Sequence, residues 1–150
     1  MNTKTLRTLS SVFLFIFLSN ELLADQGISS DQILIGMHTD ISGPASMIGK
    51  QSVDGANMRF SEFNENGGAY GRKVKFIVED HQYTVPRAVQ AANKLLRKDK
   101  IAFMMGSLGT PMNNAVMTDQ LAMNVPNLFP LTAARSMFDP FDRLKFTSGS

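Results

Sequence analysis

The sequence predicts an α/β domain in which an open parallel sheet carries helices on both faces. Four short apolar segments have the composition of β-strands, and segments of helical length separate them. Parallel strands need long crossover connections, so this alternation favours a parallel sheet, and such sheets are covered on both sides. The predicted strands are 33–38, 74–80, 101–106 and 125–129.

The connection between the first two strands predicts a helix over about residues 50–64. Its apolar residues recur at helical spacing, and Gly67 follows as a residue suited to ending a helix. These apolar residues are Val53, Ala56, Phe60 and Phe63. The second strand alternates apolar with charged residues, which is typical of a strand at the edge of a sheet.

The second and third helices have recognisable starts. Thr84 is a capping residue with Pro86 in the first turn, and the apolar stripe that follows is predicted to be buried. That stripe consists of Val85, Ala88, Val89, Ala92, Leu95 and Leu96. Segment 101–106 is apolar in its first five residues and is predicted at the centre of the sheet. Thr110 is the predicted cap of the third helix, with Pro111 at its first helical position.

Residues 1–24 have the pattern of a signal peptide, which leaves residues 25–150 as the mature portion. Lys4 and Arg7 form a basic region, 12–18 is an unbroken apolar run, and Ala24 is a small residue suited to cleavage. The run is shorter than the roughly 20 residues that span a bilayer, so export is favoured over the alternative of a membrane anchor.

Charge and cysteine content exclude several classes of protein. The 150 residues include no cysteine, which excludes disulfides, thiol catalysis and lipid attachment at cysteine. The net charge is +2, or +1 once Lys4, Arg7 and Glu21 are removed with residues 1–24. The basic residues are scattered, so neither nucleic acid nor an anionic membrane surface is an expected partner.

Ligands of open parallel sheets bind at the carboxyl ends of the strands, which directs attention to four loops. They are 38–49, 80–83, 107–110 and 131–136. The third leads into the helix that starts at Thr110, where free backbone N–H groups favour an anion such as a carboxylate. Thr132 in the fourth loop offers a second polar group. The alternative is that Thr110 caps its own helix and has no other role.

Other chemistry is less well supported. The glycine-rich stretch 67–71 follows a helix and precedes a strand, which is the wrong end of the sheet for a phosphate loop. His38 and His81, with Asp40 and Asp80 nearby in the chain, suggest a metal site, but no short ligand spacing supports one. No nucleophile lies in a G-x-S-x-G context. We therefore expect no metal, no cofactor and no enzymatic activity.

Several motifs, in this order and spacing, carry a resemblance to a known family. They are Ile35-Gly36, Ser42-Gly43-Pro44, Asn64 with Gly67-Gly68 and Gly71-Arg72, Asp80, Ala88 with 92–95, Gly106-Ser107, and Val125-Pro126 with Pro130. Over residues 32–150 the chain resembles the solute-binding proteins of branched-chain amino acid ABC transporters, which have the type I periplasmic binding protein fold.

The resemblance implies a monomeric, non-enzymatic protein that is exported to the periplasm. Two lobes of such a protein close over a small ligand and deliver it to a membrane permease. Carried over by position, the first-lobe contacts are Ile48, then Leu108, Gly109 and Thr110 for the ligand carboxylate, then Leu131, Thr132 and Ala133. Two of these positions depart from the pattern of amino acid binders. Such proteins often have a hydroxyl or aromatic residue at the position of Ile48 and a threonine at the position of Ala133. Without that threonine an α-ammonium loses a partner, which favours an aromatic or aliphatic acid over leucine. An amino acid is the alternative ligand, since Thr132, one residue earlier, compensates if the loop shifts.

The resemblance also implies that residues 25–150 form only part of a first lobe, with the second lobe absent. We expect such a piece neither to close on a ligand nor to melt cooperatively. A ligand-sensing receptor or regulatory domain of the same fold is the alternative function. Phe129, Phe138 and Phe141 lie near the fourth loop and are candidates for an apolar pocket wall.

Overall fold

The computed structural model describes residues 26–147, and the predicted signal peptide lies outside them. The described chain forms one five-stranded parallel sheet with helices between the strands, which confirms the predicted fold class. The elements are β1 (Gln32–Thr39), α1 (Ser46–Glu65), β2 (Lys73–Asp80), α2 (Val85–Asn93), β3 (Phe103–Met105), α3 (Thr110–Ala122), β4 (Asn127–Leu128) and β5 (Lys145–Phe146). Within 26–147, no helix has the length and apolar character needed to cross a membrane.

The strand order is β2-β1-β3-β4-β5. The second strand is at an edge and the third is central, as predicted. β1 and β2 pair along their full length, from Gln32 opposite Lys73 to Thr39 opposite Asp80. β5 adds a short fifth strand beside β4. All four pairings are parallel, so the carboxyl ends of the strands lie along one edge of the sheet.

β3 and β4 are shorter than their apolar segments predict. Ile101 and Ala102 are buried but precede the paired residues, and Gly106 turns away with φ +65°. In the fourth segment Pro126 has no N–H to pair, and Phe129 has φ +51°. An apolar segment indicates that its residues are buried. It does not specify the backbone geometry that pairing with a neighbouring strand requires.

Helices pack on both faces of the sheet, and β2 shows this directly. Ile77 packs against the main core cluster, which includes residues of α2 and α3. The neighbouring Phe76 points to the opposite face, where its ring centroid lies 5.2 Å from that of Phe60 in α1. The cluster itself consists of Ala92, Leu95, Leu96, Ile101, Met104, Val116 and Val125.

The buried face of α2 differs from the predicted stripe. Val85 and Val89 are each 37% exposed, whereas Ala91 is buried. A π-helical turn, Lys94–Lys98, follows α2, and within it the consecutive residues Leu95 and Leu96 are both buried. The other four positions of the predicted stripe are buried as expected, so the difference is confined to the two valines and Ala91.

Candidate functional site

Buried polar residues gather where β1, β2 and β3 end. Five of them are fully buried, with no measurable exposure: His38, Thr39, Asp40, His81 and Ser107. The His38 backbone N–H donates to the Ser107 hydroxyl at 3.2 Å, and the Leu108 N–H donates to the His38 carbonyl at 3.3 Å. The end of β1 and the loop after β3 are thereby joined at the carboxyl edge of the sheet.

Asp40 holds the loop between β1 and α1. One carboxylate oxygen accepts the Gly43 N–H at 2.5 Å, and the other accepts the Ala45 N–H at 2.7 Å. At Gly49 the helix passes so close that a Cβ would lie 1.8 Å from the Asp40 carbonyl oxygen. Ile48 therefore sits beside the end of β1, where it is 50% exposed.

Asp80 holds the same loop from the end of β2. Its carboxylate accepts the Ile41 N–H at 2.9 Å, the Gln82 N–H at 3.0 Å and the Ser42 hydroxyl at 2.5 Å. Burial acts to raise the pKa of this carboxyl, but the hydrogen bonds from Ser42, Ile41 and Gln82 outweigh it and the pKa is lowered. Both aspartates are thus engaged by the loop between β1 and α1, and Asp80 also accepts a bond from its own loop.

The start of α3 corrects one prediction. Gly109 occupies the N-cap position with φ +96°, and Thr110 is the first helical residue, so the prediction that Thr110 caps the helix is wrong. The positive φ disfavours any side chain at Gly109, and a Cβ there would lie 2.2 Å from the Met112 terminal methyl, which would have to move. The Thr110 hydroxyl is instead hydrogen-bonded to the Thr132 hydroxyl.

The loops after β3 and β4 form one continuous patch. Leu108 and Leu131 make a parallel bridge, the Gly109 N–H donates to the Leu131 carbonyl at 3.3 Å, and the Leu131 N–H donates to Ser107 at 2.9 Å. Thr132 also accepts the Ala134 N–H at 3.2 Å. Six of the seven predicted contact residues lie in this patch: Leu108, Gly109, Thr110, Leu131, Thr132 and Ala133.

Ile48, the seventh residue, lies at the same edge of the sheet but on α1. The hydrogen bonds and bridges of the described residues do not join it to the other six. Ala133 is exposed, whereas Thr110 and Thr132 are half-buried.

The patch has the electrostatic character of an anion site. The N–H groups of Thr110 and Met112 belong to the first turn of α3, where no helical carbonyl precedes them. The first turn contains no acidic side chain. The positive end of the helix dipole and these N–H groups therefore favour a bound carboxylate.

The two histidines have a different arrangement from the metal site considered above. Their ring centroids lie 5.5 Å apart, and the described residues contain no group of three or more potential metal ligands. His81 Nε2 donates to the Leu108 carbonyl at 3.1 Å, and His81 Nδ1 accepts the Tyr83 N–H at 3.0 Å. Sequence reasoning missed this role for His81 and Tyr83, because the bond to Leu108 joins residues 27 positions apart in the chain.

His38 is a buried neutral base. Both ring nitrogens lack a hydrogen-bond partner among the described residues, and the ring has no measurable exposure. Burial, with a smaller contribution from the neighbouring His81, lowers the pKa of His38 to about 3.

Two surface depressions of about 550 Å³ each lie at the opposite, amino-terminal edge of the sheet, where both are lined by Asp31 and Gln32. Neither includes a residue from the start of α3. The candidate anion site lies at the other edge, where parallel sheets bind ligands; its Leu108 and Gly109 are buried, and its Thr110 and Thr132 are half-buried.

A family model described as periplasmic binding protein matches residues 32–140. The chain belongs to this family. It is 32% identical over 102 residues to the Leu/Ile/Val-binding protein BraC3 of Rhizobium johnstonii, which covers 68% of this chain and 27% of that protein. It is 30% identical over 87 residues to the leucine-specific-binding protein of Salmonella typhimurium, covering 58% of this chain and 23% of the relative.

Solved structures share the fold. A substrate-binding periplasmic protein from Ralstonia solanacearum superposes with a TM-score of 0.71 and 25% identity, covering 77% of this chain and 33% of the other. The LivJ substrate-binding protein from Streptococcus pneumoniae, solved with isoleucine, gives a TM-score of 0.67 and 20% identity, covering 71% of this chain and 31% of the other. The chain therefore spans about a quarter to a third of the length of these proteins.

Proposed function

We propose that this chain supplies the first-lobe half of a ligand site in an exported solute-binding component of an ABC importer, and that it grips the carboxylate of a small molecule. The observation that carries this proposal is the start of α3. There the glycine cap, the free N–H groups and the Thr110–Thr132 hydroxyl pair meet at one open edge. The names of the relatives, which bind leucine, isoleucine and valine, support a small ligand with a carboxylate.

The ligand we propose is a carboxylic acid without an α-ammonium group. Ala133 brings no hydroxyl to the patch, and the carboxylates of Asp40 and Asp80 accept backbone N–H groups of the loops after β1 and β2. An ammonium group seated here would have to compete with those N–H groups for the two aspartates, and a desolvated unpaired cation is costly. An aliphatic or aromatic acid avoids that cost.

Isothermal titration calorimetry on the protein encoded by the whole gene tests the proposal with three ligands of one shape. They are 4-methylpentanoate, L-leucine (the same skeleton with an amine) and 3-methylbutylamine (the amine without a carboxylate). Phenylacetate and phenethylamine repeat the comparison for an aromatic skeleton. We expect 4-methylpentanoate or phenylacetate to bind more tightly than L-leucine, and the amines not to bind.

The two parts of the proposal fail separately. Tighter binding of L-leucine than of either acid would refute the acid assignment and keep the carboxylate site. Binding of an amine together with no binding of any carboxylate would refute the site at α3.

Export, a second lobe, a permease partner and a monomeric state complete the proposal. The relatives are named as binding proteins, which supports a non-enzymatic role, and the limited coverage of their length supports a further lobe. A reading frame that continues past the codon for Ser150 with further βα units would agree with the second lobe. A stop codon there would remove the transport function, because half of a cleft cannot enclose a ligand. Fractionation of a Gram-negative host, with and without residues 1–24, tests export.

A further inference from the structure

His81 connects the loop after β2 to the loop that starts α3. Its Nε2 donates to the Leu108 carbonyl at 3.1 Å, and its Nδ1 accepts the Tyr83 N–H at 3.0 Å. We propose that His81 is a positioning residue for the carboxylate site: it fixes the Leu108–Gly109 peptide from which α3 begins, without touching the ligand. This inference rests on the proposed function and names a residue that the predicted ligand contacts did not include.

Hydrogen bonds hold both the Leu108–Gly109 peptide and the peptide that precedes it. In the preceding peptide the Leu108 N–H donates to the His38 carbonyl at 3.3 Å, and in the Leu108–Gly109 peptide the Gly109 N–H donates to the Leu131 carbonyl at 3.3 Å. Both bonds are long and join backbone groups of neighbouring strands and loops. Among the described residues, His81 is the one side chain that donates to the Leu108 carbonyl, and its bond is the shortest of the three. The direction of that carbonyl sets the peptide plane, and hence where the first N–H groups of α3 point.

The second bond of His81 determines which ring nitrogen carries the proton. Because the Tyr83 N–H is a donor, Nδ1 must be unprotonated, so the single ring proton is on Nε2 and faces Leu108. Burial lowers the pKa of His81, against the opposing effects of the Leu108 carbonyl and of Asp40 and Asp80. The ring is therefore neutral at neutral pH and keeps this one tautomer.

Tyr83 extends the same connection to the helix start. Gln82 and Tyr83 both have left-handed backbone, with φ +49° and +56°, a conformation that non-glycine residues adopt at a cost. It places the Tyr83 ring against Gly109, with Cε2 3.2 Å from the point that a Gly109 Cβ would occupy. The Thr84 N–H also donates to the His81 carbonyl at 2.9 Å, so this turn keeps a second bond when the Nδ1 acceptor is lost, and the bond to Leu108 is the one on which the helix start depends.

Two substitutions separate the two bonds. His81→Gln keeps an N–H donor near the position of Nε2 and loses the Nδ1 acceptor. His81→Asn keeps an acceptor near the position of Nδ1 and loses the donor to Leu108. The control is Gln120→Leu, which removes a similar bond at the far end of α3, where buried Gln120 Nε2 donates to the Val125 carbonyl at 3.3 Å.

Calorimetry with 4-methylpentanoate on the whole protein gives the first readout. We expect His81→Asn to weaken binding about tenfold, as the loss of one buried hydrogen bond implies, and His81→Gln to stay within about threefold of the wild type. Gln120→Leu should lower Tm without changing affinity. Equal weakening by both His81 variants would overturn the proposal. The proposal would also be overturned if Gln120→Leu and His81→Asn lowered Tm equally and weakened binding equally.

Nuclear magnetic resonance gives a second readout that needs no ligand. The His81 imidazole ¹⁵N shifts should show the Nε2–H tautomer, and the amide resonances of Gly109 and Thr110 should move in His81→Asn and stay in place in His81→Gln. Unmoved amides in His81→Asn would overturn the positioning role. If the wild type binds no carboxylate while these shifts behave as expected, the proposed ligand class fails and the role of His81 at the helix start stands.

Discussion

Acid pH should destabilise this protein through His38. The ring has no measurable exposure, both of its nitrogens lack a partner among the described residues, and its pKa is lowered to about 3 by burial and by the neighbouring His81. In the unfolded chain the same group titrates at its ordinary value of 6.5. Between these two values the unfolded state binds a proton that the native state does not, so the free energy of unfolding falls as the pH is lowered through this window.

The size of the effect follows from the two pKa values. Well inside the window, each pH unit changes the free energy of unfolding by about 1.4 kcal/mol for one such group. The change begins near pH 6.5, so lowering the pH from 7 to 5 removes about 2 kcal/mol through His38 alone. The lowered pKa of His81 acts in the same direction. Domains are typically stable by about 5–15 kcal/mol, so the loss is a measurable share of the total.

Urea denaturation of the protein encoded by the whole gene, monitored by far-UV circular dichroism at pH 7, 6 and 5, measures this change for the wild type and for His38→Leu. The leucine has no titrating group and leaves no unpartnered nitrogen, so it should lose about 2 kcal/mol less than the wild type over the range. Met37→Leu, at the adjacent buried position, is the repacking control and should retain the wild-type dependence. Equal slopes in wild type and His38→Leu would show that His38 is not a buried neutral group.

Three further predictions concern the loops and the chain as a whole. Gly109→Ala should weaken 4-methylpentanoate binding about tenfold in calorimetry, because φ is +96° and the added Cβ meets Met112. The control Gly55→Ala, at a glycine with open space around it, should leave binding unchanged. Unchanged binding in Gly109→Ala would count against the site at α3. Asp80→Asn should lower the free energy of unfolding by about 1–3 kcal/mol at pH 7, because Ser42 and two N–H groups lose a charged acceptor. The pKa of Asp80 is lowered in the folded state, so the stabilisation from its carboxylate is present above the ordinary value of 3.8 and is lost as the pH falls through the folded value. The free energies of unfolding of the wild type and Asp80→Asn should therefore converge in acid. A difference that stays constant with pH would contradict this. Residues 25–150 alone should unfold over a broad range in scanning calorimetry, and a sharp two-state transition would refute that expectation.

Much of the fold could be predicted because it is encoded locally. The alternation of short apolar segments with helical ones indicates parallel crossovers, and the half-charged pattern of β2 places it at the edge. The same patterns place Leu108–Thr110 and Leu131–Ala133 at the carboxyl ends of adjacent strands, where the structure joins them through the Leu108–Leu131 bridge. Whether these residues touch a ligand is still a prediction.

What the sequence by itself determined is therefore the class of fold, the edge of the sheet that carries the candidate site and the family to which the chain belongs. Only the tertiary structure decided that Gly109 and not Thr110 caps α3, that Thr110 pairs with Thr132, and that His81 bonds to Leu108. The physical reason is range. Periodicity and turn residues record whether a position is buried and how the chain bends within a few residues. The partner of a buried hydroxyl or imidazole depends instead on which distant loop lies beside it, and the register of the assembled sheet fixes that.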